Sequence, residues 1–569
     1  MPGGLLNLIA YGNQNIIING NPKKTFFKSV YMKHTNFGIQ KFRLDYEGTK
    51  TLNPDEETIY KFKVPRNAEL LLDTYLCFTI PDIWSTVLPP VKKGDIWKPY
   101  HFKWINNLGS SAIANVKISI GTQVIQEYPG EYIRCVEERD FTEEKKRMFD
   151  QMTGNIDELT NPEKYGGNRR FHYPNAFFTS SIQGSEPSIR GRKIYVPLHP
   201  WFMNGTKLAL PLVSLQYSEV TIEITMKALK ELFSINNVTN ITDDDIANKN
   251  YDVMKNELYT RIAPNSSLEI HSLYRFLQPP PSIELYESDY QNLSFVWDTD
   301  VHIISNYCFL TKEESNVFAL NEQKYLIKDV KYDIYNNLAG SHNLKIDTNA
   351  LVSSWMWFFR RSDVHTRNEW NNYTNWKTKI IPYELIKGER TISTAYSFDD
   401  SSVINHGIGI DIDVDNNTIS TNHKHTPEFS IKNNKEILQS ASILIDGKYR
   451  ENAMDRGIFS YVEPYRASRA SSDIGMYSYN FCLDTSDYIQ PSGAINLSRF
   501  RKIELEVVLL EPEIDESYIS FTLCDDDGGV IGVSKDENKY KYTYEMHFFE
   551  ERYNVLRFIS GNAGLLFAR

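Results

Sequence analysis

Two stretches of this chain follow one plan: YVPLHPWFMNGTKLALPLVSLQYSEVTIEI from Tyr195 to Ile224, and YNFCLDTSDYIQPSGAINLSRFRKIELEV from Tyr479 to Val507. Each opens on a tyrosine-bearing extended segment, crosses a loop containing Pro and Gly, and ends in a strand where acidic and apolar residues alternate. In Val220-Thr-Ile-Glu-Ile-Thr-Met226 the side chains of Val220, Ile222, Ile224 and Met226 share one face, and Thr221, Glu223 and Thr225 share the other. Ile503, Leu505, Val507 and Leu509 repeat the arrangement. A period of two marks a strand with one dry face and one wet face, the signature of an antiparallel sheet.

Upstream of each stretch lies a second matching unit. ANVKISIGTQVIQEY (Ala114 to Tyr128) and SASILIDGKYREN (Ser440 to Asn452) both read as strand, glycine turn, strand. Turn residues recur at Gly121-Thr122, Asp446-Gly447 and Asp527-Gly528-Gly529. The same units in the same order in both halves imply two copies of one architecture. At 569 residues the chain also exceeds the length at which one hydrophobic core stops growing. An aromatic content of 13%, with 35 Tyr and 30 Phe, suits half-buried sheets and subunit contacts. The expectation is an all-β chain built as two related sandwiches.

Helical signals are few. Asp140 to Gly154 predicts a helix with Asp140 and Glu143 in capping-box positions and Gly154 as its stop, and a second is predicted from Lys312 to Lys324. The polar segments Glu231 to Asn265 and Thr391 to Thr426 read as large exposed loops, and Pro279-Pro280-Pro281 as an extended stretch.

The net charge of −11 opposes binding to a polyanion, so direct contact with nucleic acid is not expected. Cys77, Cys135, Cys308, Cys482 and Cys524 are scattered and form no CxxC pair, which argues against a disulfide framework and a zinc site and fits folding in a reducing cytosol. MPGGLLNLIAYGNQN lacks the basic start of a signal peptide, and no run reaches the roughly 18 to 20 apolar residues a transmembrane helix needs. A soluble chain is expected.

Candidate chemical sites are sparse. His423-Lys-His425 sets two imidazoles on one side of a strand without a recognisable carboxylate partner, and a metal there is not expected. Asp411-Ile-Asp-Val-Asp415 begins like a calcium loop but has Asn416 where glycine is needed and Asn422 where glutamate is needed, so a solvated acidic loop is the better reading. Ser354-Trp-Met-Trp-Phe-Phe-Arg-Arg361, followed by Trp370 and Trp376, could form a carbohydrate platform but reads better as a core strand with an interface. Glycosylation sequons fall at Asn204, Asn237, Asn240, Asn265, Asn292, Asn372, Asn416 and Asn496, although cytosolic folding would hide them from host transferases. Neither GxSxG, a P-loop nor HExxH occurs, so neither catalytic residues nor a cofactor are expected.

Several longer strings are specific. GNPKKTFFKSVYMKHTNFG (Gly20 to Gly38), RKIYVPLHPWFMNGTKLALPLVSLQYSEV (Arg192 to Val220), NEQKYLI (Asn321 to Ile327), QPSGAINLSRF (Gln490 to Phe500) and YNVLRFISGNAGLLF (Tyr553 to Phe567) resemble, in order, the major capsid proteins of nucleocytoplasmic large DNA viruses. The resemblance spans almost the whole chain. It implies two tandem eight-stranded antiparallel jelly rolls with long surface loops: an N-terminal arm over 1–25, a first jelly roll over 26–311 with a polar insertion at about 231–265, a connecting helix over 312–323, and a second jelly roll over 324–569.

The same resemblance implies a structural protein whose homotrimers, pseudo-hexameric in outline, tile an icosahedral shell. Partners would be other copies, neighbouring capsomers, minor capsid proteins beneath the shell met by residues 1–20, and host surface or fibre components reached by outer loops. Its place would be the virion, after synthesis and assembly in host cytoplasm. Departures from the usual strings, among them Pro2, Ser218 and Thr311-Lys-Glu-Glu-Ser-Asn316, leave two roles open: the dominant shell protein or a low-copy paralogue. From other classes, a β-sandwich carbohydrate-binding surface protein and a sandwich-fold metalloenzyme are the alternatives.

Overall fold

In the strand Thr58–Val64, Thr58, Tyr60, Phe62 and Val64 are buried while Ile59, Lys61 and Lys63 face water. That alternation sets which way the first sheet faces. The computed structural model describes residues 2–567 except 30, 49, 89–97, 165–172, 181–183, 239–260, 295–296, 380–393, 396–409, 414–417, 422–433, 470–472, 519, 525–529 and 536–538.

Eight strands frame the first half: β1 (Phe37–Leu44), β2 (Thr58–Val64), β3 (Leu70–Ile80), β4 (Ile113–Ile120), β5 (Gln123–Tyr128), β6 (Arg192–Pro197), β7 (Val220–Met226) and β8 (His302–Leu310). They form two antiparallel sheets, ordered β1-β8-β3-β6 and β2-β7-β4-β5. In the second sheet Ile222 stands opposite Phe62 on one side and Ile118 on the other, so apolar rows line up across three strands. Each such side chain, once fully buried, stabilises the fold by roughly 1.5 to 3 kcal/mol.

The second half repeats the design with β9 (Gln323–Leu338), β10 (Ser341–Lys345), β11 (Leu351–Arg361), β12 (Leu438–Ile445), β13 (Lys448–Asp455), β14 (Met476–Asn480), β15 (Ile503–Leu509) and β16 (Tyr544–Ile559). Its sheets run β9-β16-β11-β14 and β10-β15-β12-β13. Counted from the start of each half, both sandwiches therefore have the order 1-8-3-6 and 2-7-4-5, the arrangement of a jelly roll. The repeats read in the sequence fall on equivalent elements: the two hairpins are β4–β5 and β12–β13, and the two acidic alternating strands are β7 and β15.

The halves are welded rather than strung together. β11 shows why its run Trp355-Met-Trp-Phe-Phe359 has no polar alternation: Trp355, Trp357 and Phe359 fill the second core, while Met356 and Phe358 join a cluster continuous with the first. A strand covered on both faces reads as a continuous apolar run.

Two helical expectations change. The helix predicted from Asp140 begins at Glu143 with Thr142 as its N-cap, and Asp140 instead closes a preceding helix. These are α1 (Gly130–Asp140) and α2 (Glu143–Thr153), with Gly154 in the left-handed conformation as the predicted stop. α1 escaped notice because Arg134, Glu137, Glu138, Arg139 and Asp140 are all buried, so its charged run does not mark a solvated face. The second predicted helix, α3 (Lys312–Leu320), ends four residues before Lys324, where β9 has already begun.

Candidate functional site

α1 lies in the seam between the sandwiches and delivers Arg139 to it. The Arg139 guanidinium donates from Nε to Asp140 Oδ1 at 2.9 Å and from Nη2 to Asp140 Oδ2 at 2.7 Å. It also donates to Glu551 Oε1 on β16 at 3.0 Å and to Ser354 Oγ on β11 at 3.1 Å. Glu551 further accepts from Ser354 at 2.7 Å and from Tyr132 at 2.9 Å, while Asp140 accepts from Thr485 at 2.7 Å and Tyr488 at 3.0 Å. Lys328 on β9 closes the network: its ammonium donates to the Thr485 carbonyl at 2.7 Å and lies 4.2 Å from the Tyr488 ring centre.

Burial by itself would favour the neutral acids. Burial is the largest single influence, but the Arg139 charge and hydrogen bonds together with the Lys328 charge outweigh it and hold both Asp140 and Glu551 below the usual carboxylate range. Ions this deep are tolerated only when paired and fully hydrogen-bonded.

A second buried ionic group lies beside the first. Glu131 of α1 sits 3.2 Å from Lys227 and 3.7 Å from Arg360 of β11. Burial would raise its pKa, but Lys227 and then Arg360 bring it down to about 2. His547 of β16, 2.6 Å from the Tyr332 hydroxyl, is lowered to about 4 by burial and by Arg360, so it is neutral at physiological pH. Beyond β11, Asn368 donates to the carbonyls of Lys230 and Phe233, Trp370 to that of Glu231, and Asn371 to that of Asn106. At the other end the chain crosses back, where Tyr217 N donates to the Gly561 carbonyl and Ser218 to Asn562.

None of the seam ions stands out in the sequence as a buried pair: Asp140 reads as a helix cap, and Ser354, Arg360 and Trp370 only as part of a candidate carbohydrate platform. The available signal was Glu550-Glu-Arg552 inside an apolar strand, a charged run that a solvated reading does not explain. A cleft of about 610 Å³ opens along the seam between Glu127 of the first half and Lys331, Asp347 and Arg552 of the second. Its cations are already paired, Arg552 with Asp329 and Lys331 with Asp333. Among the described residues no three His, Cys, Asp or Glu side chains cluster as metal ligands would.

The sequence candidates are dispersed. Trp355 and Trp357 are 0% and 1% exposed, so no sugar can stack on them. Asn237 and Asn372 are buried, and Asn372 donates to the Trp376 carbonyl while accepting from Thr374. Asn265, Asn292 and Asn496 are exposed and Asn204 is half-buried. Asp411 and Asp413 lie on the strand Ile410–Asp413, opposite Ser420 and Thr418. Asn240, Asn416, Asp415, His423 and His425 lie outside the described residues, as does most of both polar loops.

Residues 25–277 match the family model for the major capsid protein N-terminus, and residues 314–564 match that for the large eukaryotic DNA virus major capsid protein. The chain belongs to this capsid protein family. Among its relatives are the major capsid protein of Phaeocystis pouchetii virus, 25% identical over the full length of both chains, and that of Paramecium bursaria Chlorella virus 1, 23% identical over the full length of both. Probable capsid protein 4 of Acanthamoeba polyphaga mimivirus is 24% identical over 94% of this chain and all of the relative. Solved structures share the double jelly-roll fold. VP54 of PBCV-1 superposes with a TM-score of 0.57 at 18% identity, covering 96% of this chain and 100% of VP54. The Faustovirus major capsid protein gives 0.57 at 11% identity, covering 94% and 93%.

Among the large apolar side chains that this capsid-family chain leaves uncovered, two groups stand together. One is the N-terminal segment, and the other includes Tyr461, Val462 and Tyr465 on the helical turn Ile458–Ala467 of the second half.

Proposed function

We propose that this chain is a structural subunit of an icosahedral virus shell, acting as a homotrimeric capsomer with a nearly hexagonal outline. One observation carries the proposal: two sandwiches of the same strand order stand in one chain, held in a fixed relation by a buried ionic seam. Three such chains around a threefold axis present six similar uprights, so a trimer fills a sixfold lattice position with little mismatch. Rigidity matters here, because a hinge between the sandwiches would blur the hexagon.

In this reading 26–311 and 324–569 are the two uprights, 312–323 joins them, and 1–25 is an arm. Tyr461, Val462 and Tyr465 suit the contact between copies, since exposed aromatics concentrate at interfaces. Neighbouring capsomers and minor capsid proteins are the further partners, outer loops reach host or fibre components, and Asn204, Asn265, Asn292 and Asn496 are the sequons open to a viral transferase. The chain works in the virion after assembly in host cytoplasm, and its role is structural rather than enzymatic.

Native mass spectrometry tests the proposal: three copies of the 66.0 kDa chain give 198 kDa, and negative-stain images should show hexagonal particles. A species that stays at the single-chain mass across concentrations overturns it. Low copy number is the second reading, favoured by the match to both Capsid protein 1 and Probable capsid protein 4 of one mimivirus. Quantitative mass spectrometry of purified particles separates the two by abundance.

A further inference from the structure

Residues 1–44 contain Lys23, Lys24, Lys28, Lys33, Lys41 and Arg43 and no carboxylate, so all 73 acidic side chains of the chain lie beyond them. Up to β1 none of the described residues joins either core. Its two short helical stretches, Gly3–Ile9 and Asn13–Asn19, bury no residue. Ile17, Phe27 and Met32 are 87%, 98% and 95% exposed, and Leu8, Ile18, Phe26 and Tyr31 are nearly as open. Apolar surface of this extent is unfavourable in water and marks a contact.

We propose that residues 5–33 dock on an anionic lipid surface, the apolar side chains entering the boundary between headgroups and acyl chains while Lys23, Lys24, Lys28 and Lys33 meet the phosphates. The pattern favours lipid over an acidic protein. A protein groove or sheet edge demands a fixed register, either helical spacing or strict alternation. Here the apolar residues come in short runs, Leu5-Leu6, Leu8-Ile9, Ile16-Ile17-Ile18 and Phe26-Phe27, separated by Asn, Gly and Lys. A bilayer interface accepts any register and favours aromatic rings next to lysines, as in Lys23-Lys-Thr-Phe-Phe-Lys28.

The rest of that end of the molecule is compatible with such a surface. Phe37, where the arm meets β1, pairs with Leu310 just before α3, and Phe558 near the C-terminus pairs with Gln323 just after it. Leu320, Leu566 and Phe567 are exposed there. The arm and these side chains therefore leave the fold on one side.

Flotation of the full-length chain tests the proposal, using vesicles of phosphatidylcholine alone and of phosphatidylcholine with phosphatidylglycerol in equal parts. The protein should float with the anionic vesicles only, and less in high salt. Replacing Lys23, Lys24, Lys28 and Lys33 together by Gln should weaken binding at least about tenfold, and the pair Phe26→Ser and Phe27→Ser should do likewise. Both variants should keep the wild-type melting temperature, because neither touches the core. Flotation that is equal with both vesicles, absent with both, or unchanged in the variants overturns the proposal. So does carbodiimide cross-linking of the arm lysines to a second copy without any vesicle binding.

Discussion

Arg139 is the side chain on which the seam turns. A planar guanidinium can hold Asp140 through two parallel bonds and still reach Glu551 and Ser354, which an ammonium cannot. Arg139→Met would leave two buried carboxylates with only the Lys328 ammonium, 3.9 Å from Glu551, at a cost of about 3 to 5 kcal/mol in urea unfolding at pH 7. A loss below about 1 kcal/mol would mean that the network contributes little. The pH dependence has a definite sign. Since the folded pKa values of Asp140 and Glu551 are depressed, their contribution is complete above the ordinary carboxylate range near pH 4 and is lost as pH falls through the folded values. In Arg139→Met the remaining influence is mainly burial, which raises carboxylate pKa values. Lowering the pH from 7 to 5 should therefore narrow the deficit of the variant against the wild type, since the acid loss from buried neutral histidines such as His547 is common to both, and urea midpoints at the two pH values check this.

Among the elements, α2 starts three residues later than the sequence suggests but stops where expected. Gly154 has φ +80°, and a Cβ there would stand 2.7 Å from Ile194 Cδ1 on β6 and 3.1 Å from Leu159 Cδ1. Gly447, in the β12–β13 turn, has φ +76° with nothing within 4 Å. Left-handed backbone costs an L-residue roughly 1 to 2 kcal/mol at either place. Gly154→Ala should thus lose that amount plus a packing penalty, and Gly447→Ala the smaller amount alone. Equal losses in paired urea titrations would show that the α2–β6 contact yields without cost. α1 is the contrasting element. Its sequence Glu131-Tyr-Ile-Arg-Cys-Val-Glu-Glu-Arg-Asp140 has no clean apolar stripe, because the surfaces that cover it supply charges as well as hydrocarbon.

For the whole molecule, one apolar cluster includes residues from both halves, and the seam adds ionic and amide contacts to it. The two sandwiches should therefore melt in a single calorimetric transition, and two well-separated transitions in the wild-type chain would show that the seam does not couple them. By itself the sequence determined the strand character, the duplication, the turns and the family strings. All of these follow from local causes: period-two alternation arises wherever one face is dry and the other wet, and a left-handed turn favours glycine, asparagine or aspartate whatever surrounds it. The seam could not be read that way, and neither could the burial of Asn237 and Asn372. A charged or polar side chain looks solvent-facing until its partner arrives, and Arg139 meets Glu551 from 412 residues away. Only tertiary structure decides that, because the pairing that makes a buried charge tolerable is a property of two distant segments brought together.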